Sequence, residues 1–448
     1  MPSPGRSNSS HDRIVAAAVA QPSARKTTIF VGDGGYGDIL EMVGSGTTTR
    51  HFEVYATAER QLDADDLNYL DAKGCFALPE QSEELLEAYF KYVHPTFPVI
   101  DVSEFSQKYA EHGLQGINLL LLWSMFSVSA SYIQGTSRIA NKVLYVGRAK
   151  LLFEISQEHD KLVLVHSALL LSFWFADTED VKQSWYWTSI AFGIAQSLGL
   201  HAPPEPSHGQ THSRSRAGLI TWQCCLMRDV WLAFGMGRPL RVIAPDSAMC
   251  SGELDLQLTD LTLKGRTLYA ADEASALQNM WRSLVDTTNS LRNIMTSSTV
   301  PALNKVFPYS FAGTPDTGGS TSITHVSRHL KIHQTTAAIA IARAKNEQQE
   351  LQSAVDRAIG VMRTMVNDGT VDFASPVTVP LVTPAMIGCL ETTRLADLGK
   401  DPEKPRVIDS KLDAISEFLS ALEDNYPAAS ILSRVLKTAR DEIWNVRS

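Results

Sequence analysis

The chain has 448 residues, of which 44% are hydrophobic and 20% charged, and its mean hydropathy is −0.08. That composition is expected of a soluble globular protein with room for a large helical body or two to three domains. A formal net charge of −9, with no run of five or more Lys or Arg, argues against nonspecific nucleic-acid binding by the chain as a whole, which needs phosphates to be neutralised.

Residues 1–28 are rich in Ser, Pro and Ala and read as disordered, and Ile14–Ala20 is too short for a secretory signal. Residues 29–76 are mixed and Gly-rich, with extended pieces expected at Thr28–Val31 and Phe52–Tyr55, so 1–76 is expected to be a disordered or irregular N-terminal segment. Gly32-Asp33-Gly34-Gly35-Tyr36-Gly37 has the spacing of a dinucleotide fingerprint, with Glu53 about twenty residues on. Only Asp38–Val43 is left for the helix that must follow, and no further βαβ units come after it, so the segment reads as a linker. Asp63, Asp65 and Asp66, and later Asp177, Glu179 and Asp180, are acidic clusters. They raise the question of a magnesium-dependent all-α enzyme, although neither is a DDxxD and no second metal motif follows.

Helical patterning starts at Leu78. Leu85, Leu86, Tyr89, Phe90 and Val93 mark one helix face, which His94-Pro95 stops. Leu119–Val128 is apolar all round and predicts a buried helix. Leu162–Ala176 is below membrane-spanning length and is interrupted by His166 and Ser167, so no membrane segment is expected. Trp187, Ile190, Ala191, Ile194, Ala195 and Leu198 lead to a C-cap at Gly199. Leu219, Trp222, Leu226, Val230 and Phe234 predict a helix stopped at Gly235. Leu277–Met295 follows, opened by Asp272 and Glu273. Residues 299–322 read as a loop, and helices resume at about His325–Asn367, Pro384–Leu398, Asp409–Glu423 and Ser430–Trp444. The fold class is all-α, a multi-helical array with a Gly/Ser/Pro-rich N-terminus. It divides into a helical domain over 77–298 and a C-terminal helical region over 323–448 packed on the same body.

Candidate chemistry is sparse. Cys75, Cys224, Cys225, Cys250 and Cys389 form no CxxC pair, and the adjacent Cys224 and Cys225 point in different directions on a helix. Buried free thiols in a reducing compartment are expected. His325, His329 and His333 form one helical stripe, but the glutamate of HExxH is absent and Arg328 and Lys331 flank them, so a partly solvated polar face is expected. His201, His208 and His212 bracket a Ser/Arg loop read as solvated; His201 alone has a helix-terminal position, where its imidazole could bond the last carbonyls. No GxSxG, Walker A or Cys/His nucleophile pattern occurs.

The tract Trp185–Asp246 is the most distinctive. A helix ends in Gly199-Leu200-His201; a second carries Arg216, Trp222, Arg228 and Asp229; and Gly237-Arg238-Pro239 closes it, with Asp246 beyond. Upstream, Tyr92-Val93-His94-Pro95-Thr96-Phe97-Pro98-Val99-Ile100-Asp101 forms a His-Pro-x-Phe-Pro turn. Together these resemble the middle homology region of fungal zinc-cluster transcription factors, with the likeness running from about Val31 to Asp255 and nearest to the cutinase-transcription-factor type. The resemblance implies a nuclear, pathway-specific transcription regulator rather than an enzyme. It implies partners among other transcription regulators or a second copy of the chain, and a small-molecule effector. The family's six-cysteine zinc module has no counterpart in residues 1–74, which contain no cysteine. Zinc and direct DNA contact are therefore not carried over, and DNA would be reached indirectly or through a missing N-terminal module. Two other readings stand beside this one: a modulator without DNA contact and an all-α biosynthetic enzyme. Arg216, Arg228, Asp229, Arg238 and Asp246 are read as pins that fix helix packing, with an effector-cavity lining as the alternative, since buried charges need partners. Arg238, expected to reach Asp246 or a helix C-terminus, should lower stability when replaced by Ala.

Overall fold

A computed structural model describes residues 26–32, 51–55, 62–174 (apart from 134, 136–137, 156–157 and 159), 181–202, 216–242, 255–296, 320–395 and 403–445. The described residues are almost entirely helical. The N-terminal segment holds an antiparallel pair, β1 (Lys26–Phe30) and β2 (His51–Tyr55). A dinucleotide site needs a parallel βαβ unit after its first strand, so this pairing supports the linker reading of the glycine-rich segment. Its Gly34, Gly35 and Gly37 lie outside the described residues.

Helix α1 (Ala64–Ala72) lies inside the segment expected to be irregular. Asp63 caps it by accepting the Asp66 N–H at 2.8 Å, and Asp65 and Asp66 sit in its first turn, where carboxylates favour the helix dipole. This accounts for the acidic cluster without a metal. Helix α2 (Ser82–Ala88) runs into a π-turn at Tyr89–Val93 that ends at His94, as the sequence predicts. Helices α3 (Val102–His112), α4 (Leu119–Ser129) and α6 (Lys161–Leu171) are capped by Asp101, Asn118 and Asp160, and α5 (Arg138–Ile155) lies between the last two. In α4 every residue from Leu120 to Ser129 is buried. Its serines stay satisfied by bonding back to carbonyls, as Ser124 does to Leu120 O at 2.8 Å.

Helix α7 (Val181–Ser197) ends at Gly199 and α8 (Arg216–Met236) at Gly237. Both ends are Schellman turns. The Leu200 N–H bonds Ala195 O and the Gly199 N–H bonds Gln196 O; Arg238 N–H and Gly237 N–H repeat this on Ala233 O and Phe234 O. Gly235, the expected stop, lies in the last turn of α8; the left-handed residue is Gly237 at φ 62, beside Gly199 at φ 68. A Cβ in that conformation costs about 1–2 kcal/mol. Gly199→Ala and Gly237→Ala should each lose about that much in denaturant titrations, and an unchanged stability would refute the assigned turn.

A short hairpin, β3 (Thr262–Leu263) and β4 (Arg266–Thr267), precedes α9 (Ala271–Thr296). The stretch expected as one helix from His325 is two, α10 (Thr321–Lys345) and α11 (Gln348–Asn367). Asn346, at φ 58, forms a third Schellman turn between them, because Asn tolerates this conformation better than most residues. Helices α12 (Thr378–Leu381), α13 (Thr383–Leu395), α14 (Glu403–Glu423) and α15 (Ala428–Asn445) complete the described chain.

One continuous buried core runs from Leu70 to Leu436. Helices α4–α7 pack together, α9–α11 form a second layer with α14 and α15, and α8 joins them through α7 and α9. Side chains stitch the two halves together. Tyr92 stacks on Tyr132 and Phe373, His325 donates from Nε2 to Tyr92 O at 3.0 Å, and the buried Lys142 ammonium donates to Asn425 O at 2.9 Å while lying 4.5 Å over the Tyr426 ring.

Candidate functional site

The family-signature residues split into pins and turns. Asp101 does two jobs: Oδ1 caps α3 through the Glu104 N–H at 3.0 Å, and Oδ2 lies 3.4 Å from Arg216 at the start of α8. The pair is partly exposed, which limits it to below about 1 kcal/mol. His94 and Pro95 are buried at the end of the π-turn, and among the described residues neither His94 ring nitrogen has a hydrogen-bond partner. Its ring lies 5.4 Å from that of Phe90, and burial pushes its pKa down to about 3 despite the Asp101 charge. Trp222 is buried between Phe192 and His201. His201 in turn meets Phe30 edge-on at 5.2 Å, which seats β1 on the helical body.

Arg228 and Asp229 face different partners, as their adjacency predicts. The Arg228 Nε donates to Ser172 Oγ at 2.8 Å, an Nη donates to Ser172 O at 2.5 Å, and the guanidinium lies 4.3 Å over the Phe173 ring. Burial, reinforced by Arg241, lowers its pKa to about 9, so it stays cationic at neutral pH. Asp229 pairs with Arg241, a residue the sequence reading passed over. Arg241 donates its backbone N–H to Asp229 Oδ2 at 2.8 Å and an Nη to Oδ1, while its second Nη reaches Trp185 O at 2.8 Å and Ser189 Oγ at 2.9 Å. The Gly237 turn reverses the chain and Pro239 prevents the helix from continuing, which brings Arg241 back along α8. Burial nevertheless drives the Asp229 pKa up and the Arg241 pKa down, so desolvation outweighs their attraction.

Arg238 instead lies half-buried with its guanidinium 5.0 Å over Trp185, against 3.7 Å for Arg241. Its expected partner Asp246 lies outside the described residues, as do His208, His212 and Asp177–Asp180. The geometry orders the effects: Arg241→Ala should lower the melting temperature several degrees more than Arg238→Ala. Equal shifts in paired melts would contradict the assignment.

The His325, His329 and His333 stripe corrects the expectation of a solvated face, because all three are buried. His329 and His333 lie 4.2 Å apart ring to ring, Trp231 meets His333 edge-on at 4.4 Å, and the His333 Nδ1 donates to His329 O at 2.8 Å. The cause is the face of α10 that carries them, which packs into the junction between the two halves. No group of three His, Cys, Asp or Glu side chains among the described residues could hold a metal ion. Cys75, Cys224, Cys225 and Cys389 are free and buried.

Three cavities meet at this junction. One of about 240 Å³ lies between the end of α8, α12 and α15 and is mostly apolar, with Leu232, Val379, Pro380, Ile431 and Leu432 on its walls. A second, of about 30 Å³, is mostly apolar too but includes His329, His333, Ser375 and Thr96 in its lining. Arg228, Trp231 and Val377 line both. A third, of about 80 Å³, adjoins them through Phe173, Pro376 and Tyr426 and contains Lys142. Burial lowers the Lys142 pKa to about 7. Among the described residues no helix is long and apolar enough to cross a membrane.

Residues 86–259 match the family described as fungal specific transcription factor domain. The chain is similar to cutinase transcription factor 1 beta of Fusarium vanettenii, 32% identical over 194 residues, which is 41% of this chain and 22% of that protein. It is also similar to the acetamidase regulatory protein of Emericella nidulans, 32% identical over 217 residues, 47% of this chain and 27% of that protein. A third relative is the fusaric acid cluster transcription factor FUB12 of Fusarium oxysporum f. sp. lycopersici, 25% identical over 150 residues, 31% of this chain and 22% of that protein. The matched stretch thus spans about a quarter of these relatives' lengths. No solved structure matches the chain at a significant level.

Proposed function

We propose that this chain is the regulatory body of a pathway-specific fungal transcription regulator that acts in the nucleus and is not an enzyme, because residues 86–259 match the fungal specific transcription factor domain. The family match carries the reading, and the names of the relatives, regulators of cutinase and acetamidase genes and of a fusaric acid cluster, point to catabolic or biosynthetic genes as targets. The net charge of −9 and the residues 1–74 without cysteine favour DNA contact through a partner regulator, a second copy or an N-terminal zinc module outside this sequence. The five cysteines present do not fit such a module, because those described are buried singly or as an adjacent helical pair. The adjoining cavities favour a small-molecule effector, and they suit a modulator without DNA contact equally well.

The test is a fusion of the full 448-residue chain to a heterologous DNA-binding domain, read on a reporter in fungal cells. Reporter output should differ several-fold from that of the DNA-binding domain alone. Equal output in every growth condition, with the fusion nuclear and intact, would overturn the reading.

A further inference from the structure

We propose that the adjoining cavities at Arg228 form a binding site for a compact aromatic or alicyclic carboxylic acid, with its ring in the larger cavity and its carboxylate against the Arg228 wall that this cavity shares with the smaller, histidine-bearing one. Three observations carry this. First, the two spaces share a wall, and only the smaller has histidines on its lining. The cavity of about 240 Å³ is walled mainly by aliphatic side chains and prolines, whereas the one of about 30 Å³ adds Thr96, Ser375 and two histidines to a mostly apolar lining. Second, the shared wall contains a buried cation: Ser172 and Phe173 hold the Arg228 guanidinium where it faces both spaces. A guanidinium is the side chain whose fixed donors fit a carboxylate. Third, His329 on the wall of the smaller cavity has a buried Nδ1 with no hydrogen-bond partner among the described residues. Buried polar nitrogens are rarely left unpaired, and such an orphan marks a place where a further polar group belongs.

Size fixes the ligand class. A dry cavity of about 150 Å³ takes one benzene ring, so about 240 Å³ takes one or two rings, a closer match than a long acyl chain. The smaller cavity, at about 30 Å³, holds about two water-sized groups, matching the two oxygens of a carboxylate. Apolar walls with a few convergent polar groups are the usual make-up of a small-molecule site. The proposal deepens the effector reading above, but binding can be measured without reference to transcription.

The test uses the full chain and 1-naphthoate, with 1-naphthalenemethanol as uncharged counterpart and hexadecanoate as long-chain counterpart, in calorimetric titrations. Naphthoate should bind at least about tenfold more tightly than either, the scale of one charge-assisted hydrogen bond. Ile431→Trp, which fills the apolar cavity from a half-exposed position, should abolish binding with the fold intact by circular dichroism, and Arg228→Lys should weaken it at least about tenfold. Naphthoate binding no tighter than the alcohol, or unaffected by Ile431→Trp, would overturn the site, and tighter hexadecanoate binding would overturn the size limit. The reporter fusion separates the two readings: a change in transcription without naphthoate binding sinks this site alone, whereas binding with a silent reporter sinks the regulatory reading alone.

Discussion

Replacing Asp229 with alanine will destabilise the protein by about 3–5 kcal/mol, the cost of breaking a buried ion pair from one side. Asp229 is 2% exposed, and its two oxygens receive the Arg241 backbone N–H and guanidinium. Removing it strands a guanidinium 14% exposed, beside a second buried cation at Arg228. It also opens the loop after α8, which the Asp229 contact with Arg241 folds back on the helix. Burial drives both members of the pair toward their neutral forms, so the pair itself is not a net source of stability. A sharper expectation follows for the double variant Asp229→Leu with Arg241→Met. It should recover most of the loss, because an apolar pair of similar volume does without both the attraction and the desolvation. Urea titrations of Asp229→Leu, Arg241→Met and the double variant form the cycle. A double variant as unstable as the sum of the singles would show that the residues act independently. The partly exposed pair Arg216 with Asp101 is the control, and Arg216→Ala should cost less than about 1 kcal/mol.

The difference between these two pairs shows what the sequence could carry. Periodicity located the long helices because a buried stripe must recur every three or four residues. Gly199 was legible because glycine after a periodic run meets the need for a left-handed C-cap. The residue count did not distinguish Gly235 from Gly237, and only the Schellman bonds do. Arg228 and Asp229 were legible as buried charges with separate partners, since neighbours on a helix diverge. Arg241 was not, because its role depends on the chain reversing at Gly237 and returning along α8. No local pattern marks that reversal as bringing a cation twelve residues back onto Asp229. The histidine stripe was visible as a stripe, but polar residues with helical spacing look the same whether they face water or another layer. Tertiary packing decided the matter, with Trp231, Tyr92 and Tyr132 closing over it.

That burial makes stability strongly dependent on pH on the acid side of neutrality. An unfolded histidine protonates near pH 6.5. In the fold, burial lowers His325, His333 and His166 to about 4 and His94 to about 3, and it holds His329 well down. Because the folded values are depressed, the unfolded chain binds more protons in this window, so stability rises with pH and is lost as pH falls. The contribution is complete above about pH 6.5 and drains away toward pH 4. Each buried histidine forfeits about 1.4 kcal/mol per pH unit below its unfolded value. By pH 5 the loss should reach about 2 kcal/mol per group, on the order of 10 kcal/mol for the five. His329 and His333 touch and will titrate as a unit. The carboxylates with depressed values, such as Asp368, change protonation only at lower pH, and Lys142, lowered to about 7, adds to the loss only at the top of the range. Unfolding free energies measured in urea from pH 7.5 to 5 should therefore fall steeply. His333→Gln, which can keep a donor near His329 O, should reduce the slope by about one proton. A flat profile over that range would mean that the histidines are not held neutral in the fold, and would remove the basis for placing all three inside the junction.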